Sequence, residues 1–269
     1  MQTEALASTE SVEQVKKQGF HLNQQVFSRE EVAEIKQKLQ AYLAADHPGI
    51  VKEKDGETVR GIHGSHLFDE FFADLVADER LLKPAMEYFG EPCYVHQFKV
   101  NVKRRMTGQS WPWHQDYIYW HLKDRVRTPN LLNIAIVLDD IDHLHGPLCF
   151  IPNSHKLGEL TDIDLSSGAG WEQDLSETLT YQIGYDKISQ LINDNGVFYA
   201  TGNEGDLLLF DPQTAHCSSV NLSPTDRELL IITYNPISNT PAEFENPDGR
   251  RPGFISARDF TPLTLNELA

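Results

Sequence analysis

Apolar side chains recur along this chain with two different periods, and the change falls near residue 90. In the first third, Val32, Ile35, Leu39 and Leu43 return at steps of three and four, which stacks them on one face of a helix. Ser28 and Glu31, three apart just ahead of them, have the spacing of a capping box. The pattern therefore predicts a helix running to about Ala45 whose apolar face packs on a sheet. A second helix is predicted over 79–88, stopped by Gly90. From Cys93 onward the runs are short, rich in β-branched and aromatic residues, and bounded by turn residues: 94–103, 132–139, 148–151, 206–210 and 229–234. Strands and helices do not alternate regularly among them, which points to a mostly antiparallel double sheet.

No internal repeat, low-complexity tract or Ser/Gly linker divides the chain. One domain over 1–269 is expected, with a helical part to about residue 90, a double-sheet core over about 92–236 and a tail over 237–269. The segment 156–203 is long for a plain connection and carries a helical patch over 187–192, so it is expected to be an insertion covering one mouth of the sheets. Within 94–103, Gln97, Lys99, Asn101 and Lys103 alternate with Phe98, Val100 and Val102. The polar four thus share one strand face, turned either to solvent or into a polar pocket.

Charge narrows the partners. Among 269 residues, 40 are acidic and 23 basic, a formal charge of −17 that repels phosphate backbones and anionic bilayers. Nucleic-acid and membrane-surface roles are disfavoured. The first ten residues lack a basic cluster followed by an apolar stretch, and apolar runs such as 134–138 are far too short to span a bilayer, so a soluble cytoplasmic protein is expected. Cys93, Cys149 and Cys217 are scattered and lack CxxC spacing; all three are predicted to be thiols.

The candidate chemistry begins in WPWHQDYIYW, where His114 and Asp116 stand two apart in strand-like sequence. Side chains at i and i+2 of a strand share a face, so an imidazole and a carboxylate can converge on one ion. A hundred residues later, 206–234 has the form of two strands joined by a polar turn near 221–225. If these pair as a hairpin, His216 lies opposite Arg227 and Ser218 shares its face. Two histidines and one carboxylate leave positions of an octahedral metal open, as non-haem Fe(II) oxygenases require for a chelating co-substrate and O₂. A guanidinium with a hydroxyl beside it suits the distal carboxylate of 2-oxoglutarate, and Arg227 with Ser218 offers both.

On these residues the chain resembles the phytanoyl-CoA dioxygenase family of Fe(II)/2-oxoglutarate oxygenases. The likeness rests on the HQD of His114, Gln115 and Asp116, on His216, on Arg227 eleven positions after it, and on GPLCFIPNSHK over 146–156. Within that family it is most similar in pattern to the ectoine hydroxylases, through Trp111, Trp113, His114, Asp116, Trp120 and His121. The resemblance implies a double-stranded β-helix (jelly-roll, cupin-like) core, mainly β, with the amino-terminal helices packed on the outer sheet. It also implies His114, Asp116 and His216 as iron ligands, and Arg227, Ser218, Lys103 and Asn101 around 2-oxoglutarate. Gln97, Trp120 and Trp111 would then face substrate. Departures from the ectoine pattern are HQD in place of HSD and a basic stretch over 123–127.

The activity so implied is hydroxylation of an unactivated C–H bond of a small soluble metabolite, with O₂ consumed and 2-oxoglutarate converted to succinate and CO₂. Asp116 occupies the ligand position that related iron halogenases leave to chloride, which favours hydroxylation. Arg250, Arg251 and Arg258 suit a carboxylate-bearing solute such as a free amino acid or an ectoine-like compound. Two other readings stay open: tailoring of a larger natural product by desaturation, epoxidation or cyclisation, and a non-catalytic jelly-roll protein that keeps a metal. His143 and His145 are expected in a surface turn, and His63 and His66 in a loop near substrate.

Overall fold

The structure is a computed structural model that describes residues 2–45, 47–53, 55–165, 171–175, 178–244 and 250–266. Its frame is a seven-stranded antiparallel sheet. Across it run β1 (Phe20–Asn23), β11 (Leu207–Phe210), β6 (Leu132–Val137), β13 (Arg227–Pro236), β4 (Cys93–Lys103), β3 (Val59–His63) and β2 (Ile50–Lys52). A four-stranded sheet faces it, in the order β10 (Phe198–Tyr199), β7 (Leu148–Phe150), β12 (His216–Ser218) and β5 (Trp111–His114). A two-stranded ribbon, β8 (Ile163–Asp164) with β9 (Tyr181–Gln182), lies in the connection between β7 and β10.

Every residue of β13 is buried, as expected for a central strand covered on both faces, and its period of two sorts them into two environments. Leu230, Ile232 and Tyr234 join Phe98 and Val100 of β4 in a core beneath the helices. Leu229 and Ile231 face inward to a second core with Phe150 of the small sheet. The same parity aims Arg227 of β13 and Gln97, Lys99 and Asn101 of β4 into the space between the sheets.

Helices cover the outer face of the large sheet. They are α1 (Gln2–Gln18), α2 (Arg29–Ala44), α3 (Glu70–Leu75) and α4 (Glu79–Phe89). The capping box forms as the sequence predicts: Ser28 Oγ accepts from Glu31 N at 3.2 Å, and the Glu31 carboxylate accepts from Ser28 N at 2.8 Å. Val32, Ile35, Leu39 and Tyr42 are buried against the sheet. Gly90 ends α4 at φ 73, a left-handed conformation that glycine adopts without strain. The three cysteines are free thiols, and no helix among the described residues is long and apolar enough to cross a membrane.

Two local expectations are corrected. The chain over 206–234 does not make a hairpin: β12 pairs with β5 and β7, whereas β13 pairs with β4 and β6 in the opposite sheet. The polar turn is tied to other loops. Asn221 donates through Nδ2 to Lys103 O at 3.0 Å, and Leu222 N donates to Leu144 O at 2.8 Å, so the chain crosses from sheet to sheet. His216 and Arg227 therefore face each other across the interior. The strand-like reading of HQD also fails after His114: Asp116 has helical φ and ψ of −68 and −36 and begins α5 (Tyr117–Asp124). A final helix, α6 (Tyr185–Asn195), extends the patch expected over 187–192 and packs beside Trp113.

Candidate metal and co-substrate site

His114 ends β5 and stands directly opposite His216 of β12 in the strand register, with ring centroids 4.2 Å apart. Asp116 reaches the same point from the turn into α5. Gln115 holds that turn, donating to Gln213 O at 2.6 Å and Gly158 O at 2.9 Å and accepting from Leu160 N at 2.8 Å. Asp116 Oδ1 lies 3.6 Å from His114 Nε2 and 3.8 Å from His216 Nε2, and all three side chains are buried.

The surrounding bonds leave the inward atoms free. His114 Nδ1 is 2.7 Å from Pro112 O and His216 Nδ1 is 2.9 Å from Thr214 O; a carbonyl only accepts, so both Nδ1 atoms carry the proton and both Nε2 lone pairs point to the shared space. Asp116 Oδ2 accepts from Asn133 Nδ2 at 2.9 Å and has the Lys99 ammonium at 3.7 Å, which leaves Oδ1 to the same space. Thr233 in turn donates to Asn133 Oδ1 at 2.7 Å and orients its amide. Burial alone pushes the Asp116 carboxyl up, but Lys99 and the two imidazoles outweigh it and hold it well below the usual carboxylate range. Burial, with His114 beside it, lowers His216 to about 3 and keeps it neutral. One ionised carboxylate and two imidazoles that aim Nε2 inward, with ligand atoms within 4.8 Å of one another, fit a divalent ion that keeps other positions open.

Arg227 and Ser218 lie across the cavity from one another on opposite sheets, and both line it with the three ligands. Arg227 Nη2 donates to Gly146 O at 2.7 Å, while Arg227 Nε and Ser218 Oγ have no hydrogen-bond partner among the described residues. Burial lowers the Arg227 guanidinium to about 10. Lys103, its register partner on β4, donates to Ser219 O and is lowered to about 6 by burial, by Arg227 and by Arg60. Neither side chain has an ion-pair partner among the described residues. Buried charge is costly unless matched, so this donor set suits an anionic ligand such as a carboxylate.

The remaining wall holds Gln97, Asn101, Trp111 and Trp120, so Gln97, Lys99 and Asn101 of the polar β4 face line a pocket and not the protein surface, while Lys103, turned to Ser219 O, does not line it. Gln97 donates to Ile255 O at 2.9 Å, and Trp111 lies under the Arg60 guanidinium at 3.9 Å. The three carboxy-terminal arginines separate. Arg251 lines the cavity, gripped by Asp124 through Nε at 2.8 Å and Nη2 at 2.5 Å. Arg250 stacks on Phe244, and Arg258 donates to Arg251 O. His63 on β3 also lines the cavity, whereas His66 stacks on Phe98 away from it. His143 and His145 form a surface turn in which His145 bonds Asp142. Sequence reasoning missed Asn133, whose only signal is a lone amide inside an apolar strand, and Asp174, a lining residue contributed by an irregular connection.

Comparison with known proteins shows the family. The phytanoyl-CoA dioxygenase (PhyH) family model matches residues 15–229. L-proline trans-4-hydroxylase of Streptomyces griseoviridis is 37% identical over 236 residues, covering 87% of this chain and 86% of the relative. Ectoine dioxygenase of Stutzerimonas stutzeri is 32% identical over 267 residues, covering 96% and 87%. A solved structure of EctD from S. alaskensis with 2-oxoglutarate and 5-hydroxyectoine superposes with a TM-score of 0.78 at 25% identity, over 95% of this chain and 85% of that one. A second structure of the same protein holds Fe. The chain belongs to the phytanoyl-CoA dioxygenase family and is an Fe(II)- and 2-oxoglutarate-dependent dioxygenase that hydroxylates a small metabolite.

Proposed function

We propose that the substrate is a free amino acid of the L-proline kind, that His114, Asp116 and His216 are the iron ligands, and that Arg227, Ser218, Lys103 and Asn101 hold 2-oxoglutarate. The observation that carries the assignment is the arrangement of unused atoms: two Nε2 lone pairs and Asp116 Oδ1 converge on one point, and the unpartnered donors of Arg227 and Ser218 line the same cavity. When bound, iron with 2-oxoglutarate and O₂ supplies the oxidising power, one oxygen atom going to the substrate and one to succinate, with CO₂ released.

This chain's residues do the positioning. Lys99 helps keep Asp116 ionised and Asn133 holds its Oδ2, so that Oδ1 would be the atom offered to a bound ion. Arg227, with Ser218 and the Lys103 ammonium nearby, takes the distal carboxylate of the keto-diacid and so fixes which way it lies. Arg251 is the donor for the substrate carboxylate: Asp124 occupies Nε and Nη2, which leaves Nη1 for the cavity and holds the guanidinium plane still. Trp111 and Trp120 wall the space between and limit the pose of the ring or chain to be oxidised. The relative named for L-proline, at 37% identity, supports an amino acid over a larger natural product.

The test is succinate formation by the Fe(II)-loaded protein with a panel of amino acids, cyclic solutes and ectoine, and mass spectrometry of the products. An amino acid gaining 16 mass units in step with succinate is the expected result. Absence of turnover with every carboxylate-bearing solute overturns the substrate class. His114→Ala and Asp116→Ala should both lose turnover while keeping the circular dichroism of the folded chain.

A further inference from the structure

We propose that Asp174 is the counter-charge for a cationic nitrogen on the substrate, so that the pocket selects a zwitterion with its carboxylate at Arg251 and its nitrogen at Asp174. The inference rests on the amino-acid reading above and deepens it. Asp174 belongs to a 3₁₀ turn, Trp171–Leu175, and lines the same cavity as Arg251, Gln97 and Trp120. It is 5% exposed. Thr180 Oγ1 donates to Oδ1 at 2.5 Å, but among the described residues Oδ2 has no hydrogen-bond partner and no cation lies within ion-pair distance.

A buried carboxylate with one oxygen unused is costly unless a ligand completes it. Burial raises its pKa, and the Thr180 hydrogen bond, with the more distant Arg251 and Lys123, only partly opposes that. A protonated amine or imino nitrogen brings both the missing donor and the missing charge. Arg251 differs in already having Asp124 as its partner, so the two lining groups are not equivalent: one offers an oriented donor, the other an unused acceptor oxygen. Their complement is a small molecule bearing a carboxylate and a cationic nitrogen.

The test compares L-proline with cyclopentanecarboxylate, which keeps the ring and the carboxylate but replaces N–H by CH₂. Both are assayed by succinate formation with the Fe(II)-loaded wild type, Asp174→Asn and Asp174→Glu. Asparagine keeps the carbonyl oxygen that Thr180 bonds and replaces the charged Oδ2 acceptor with an uncharged NH2 donor. The wild type should prefer L-proline. In Asp174→Asn its KM should rise ~10- to 100-fold, the range for loss of a charged hydrogen bond, with kcat changed far less and cyclopentanecarboxylate unaffected. Asp174→Glu should recover part of the preference. Equal losses on both compounds assign Asp174 a structural role and overturn the inference, as does a wild type that takes both equally well. A wild type that turns over amino acids while Asp174→Asn keeps the preference overturns the inference alone; a wild type that accepts no amino acid overturns the substrate reading and the inference with it.

Discussion

Replacing Arg227 by methionine should make the ligand-free protein no less stable while nearly abolishing its stabilisation by 2-oxoglutarate. Arg227 is 1% exposed and has no carboxylate in contact among the described residues. Its guanidinium falls from the usual 12.5 to about 10, which corresponds to ~3 kcal/mol of disfavoured charge at neutral pH. Methionine removes that cost, fills much of the volume and forfeits the bond to Gly146 O, worth ~1 kcal/mol. The ligand-free variant should therefore melt at or a few degrees above the wild type.

The holo state moves the other way. Truncating one partner of a buried charge pair costs ~2–5 kcal/mol, or ~30- to 5000-fold in affinity. At 2-oxoglutarate 100 times the wild-type Kd, linkage stabilises the wild type by ~2.7 kcal/mol; a variant with Kd raised ~100-fold gains only ~0.4 kcal/mol. At ~2–4 °C per kcal/mol, a shift of ~5–10 °C shrinks to ~1–2 °C. The assay is thermal unfolding under argon with Fe(II), with and without 2-oxoglutarate, which prevents turnover during the scan. A variant that melts well below wild type yet keeps the full ligand shift would refute the reasoning, because Arg227 would then be a structural cation and another group would bind the diacid.

Asn133→Leu should weaken iron binding ~10- to 100-fold, since Asp116 Oδ2 loses the donor that orients it; a metal titration followed by chelator competition measures this, and Thr233→Val should show a smaller effect of the same sign. Lys103 supplies a pH dependence. Its ligand-free value of about 6 lies below the unfolded one, so its burial costs nothing at high pH and destabilises the fold increasingly as pH falls toward 6. A bound carboxylate favours the ammonium and raises that pKa, so 2-oxoglutarate should bind with proton uptake at pH 7.5 and more weakly as pH rises. Calorimetry in two buffers of different ionisation enthalpy reads the proton count, and zero uptake or release would count against Lys103 as a contact. Arg251→Met should raise the KM for an amino-acid substrate with little effect on that for 2-oxoglutarate; equal effects on both would remove its assignment to substrate.

How much of this was legible in the sequence follows from which residues sit on periodic elements. The face of Gln97, Lys99, Asn101 and Lys103 was readable because a strand sorts its side chains by parity, and β4 is a strand over its whole length. The capping box and Gly90 were readable because helix ends impose local chemistry. His114 with Asp116 was found through an incorrect picture: the chain leaves its strand after His114, and Asp116 arrives from a helical turn. Two residues of separation keep the side chains close in either conformation, so spacing identified the pair without identifying the backbone.

The Arg227 relation shows the opposite limit. Eleven residues can close a hairpin or cross the ~10 Å between facing sheets, and nothing in their alternation distinguishes the two. What decides it is Asn221 and Leu222 bonding to Lys103 and Leu144, contacts far away in the chain. The crossing matters chemically, because a hairpin would have put the guanidinium beside His216 on one wall, with no room between them for a bound diacid. Set on opposite sheets, Arg227 and the histidines leave an interior that a ligand can bridge, one end at the metal position and the other at the guanidinium. Asp174 was beyond reach altogether: it stands in a non-repeating connection, and only the folded chain brings its unused oxygen to the cavity that Arg251 lines.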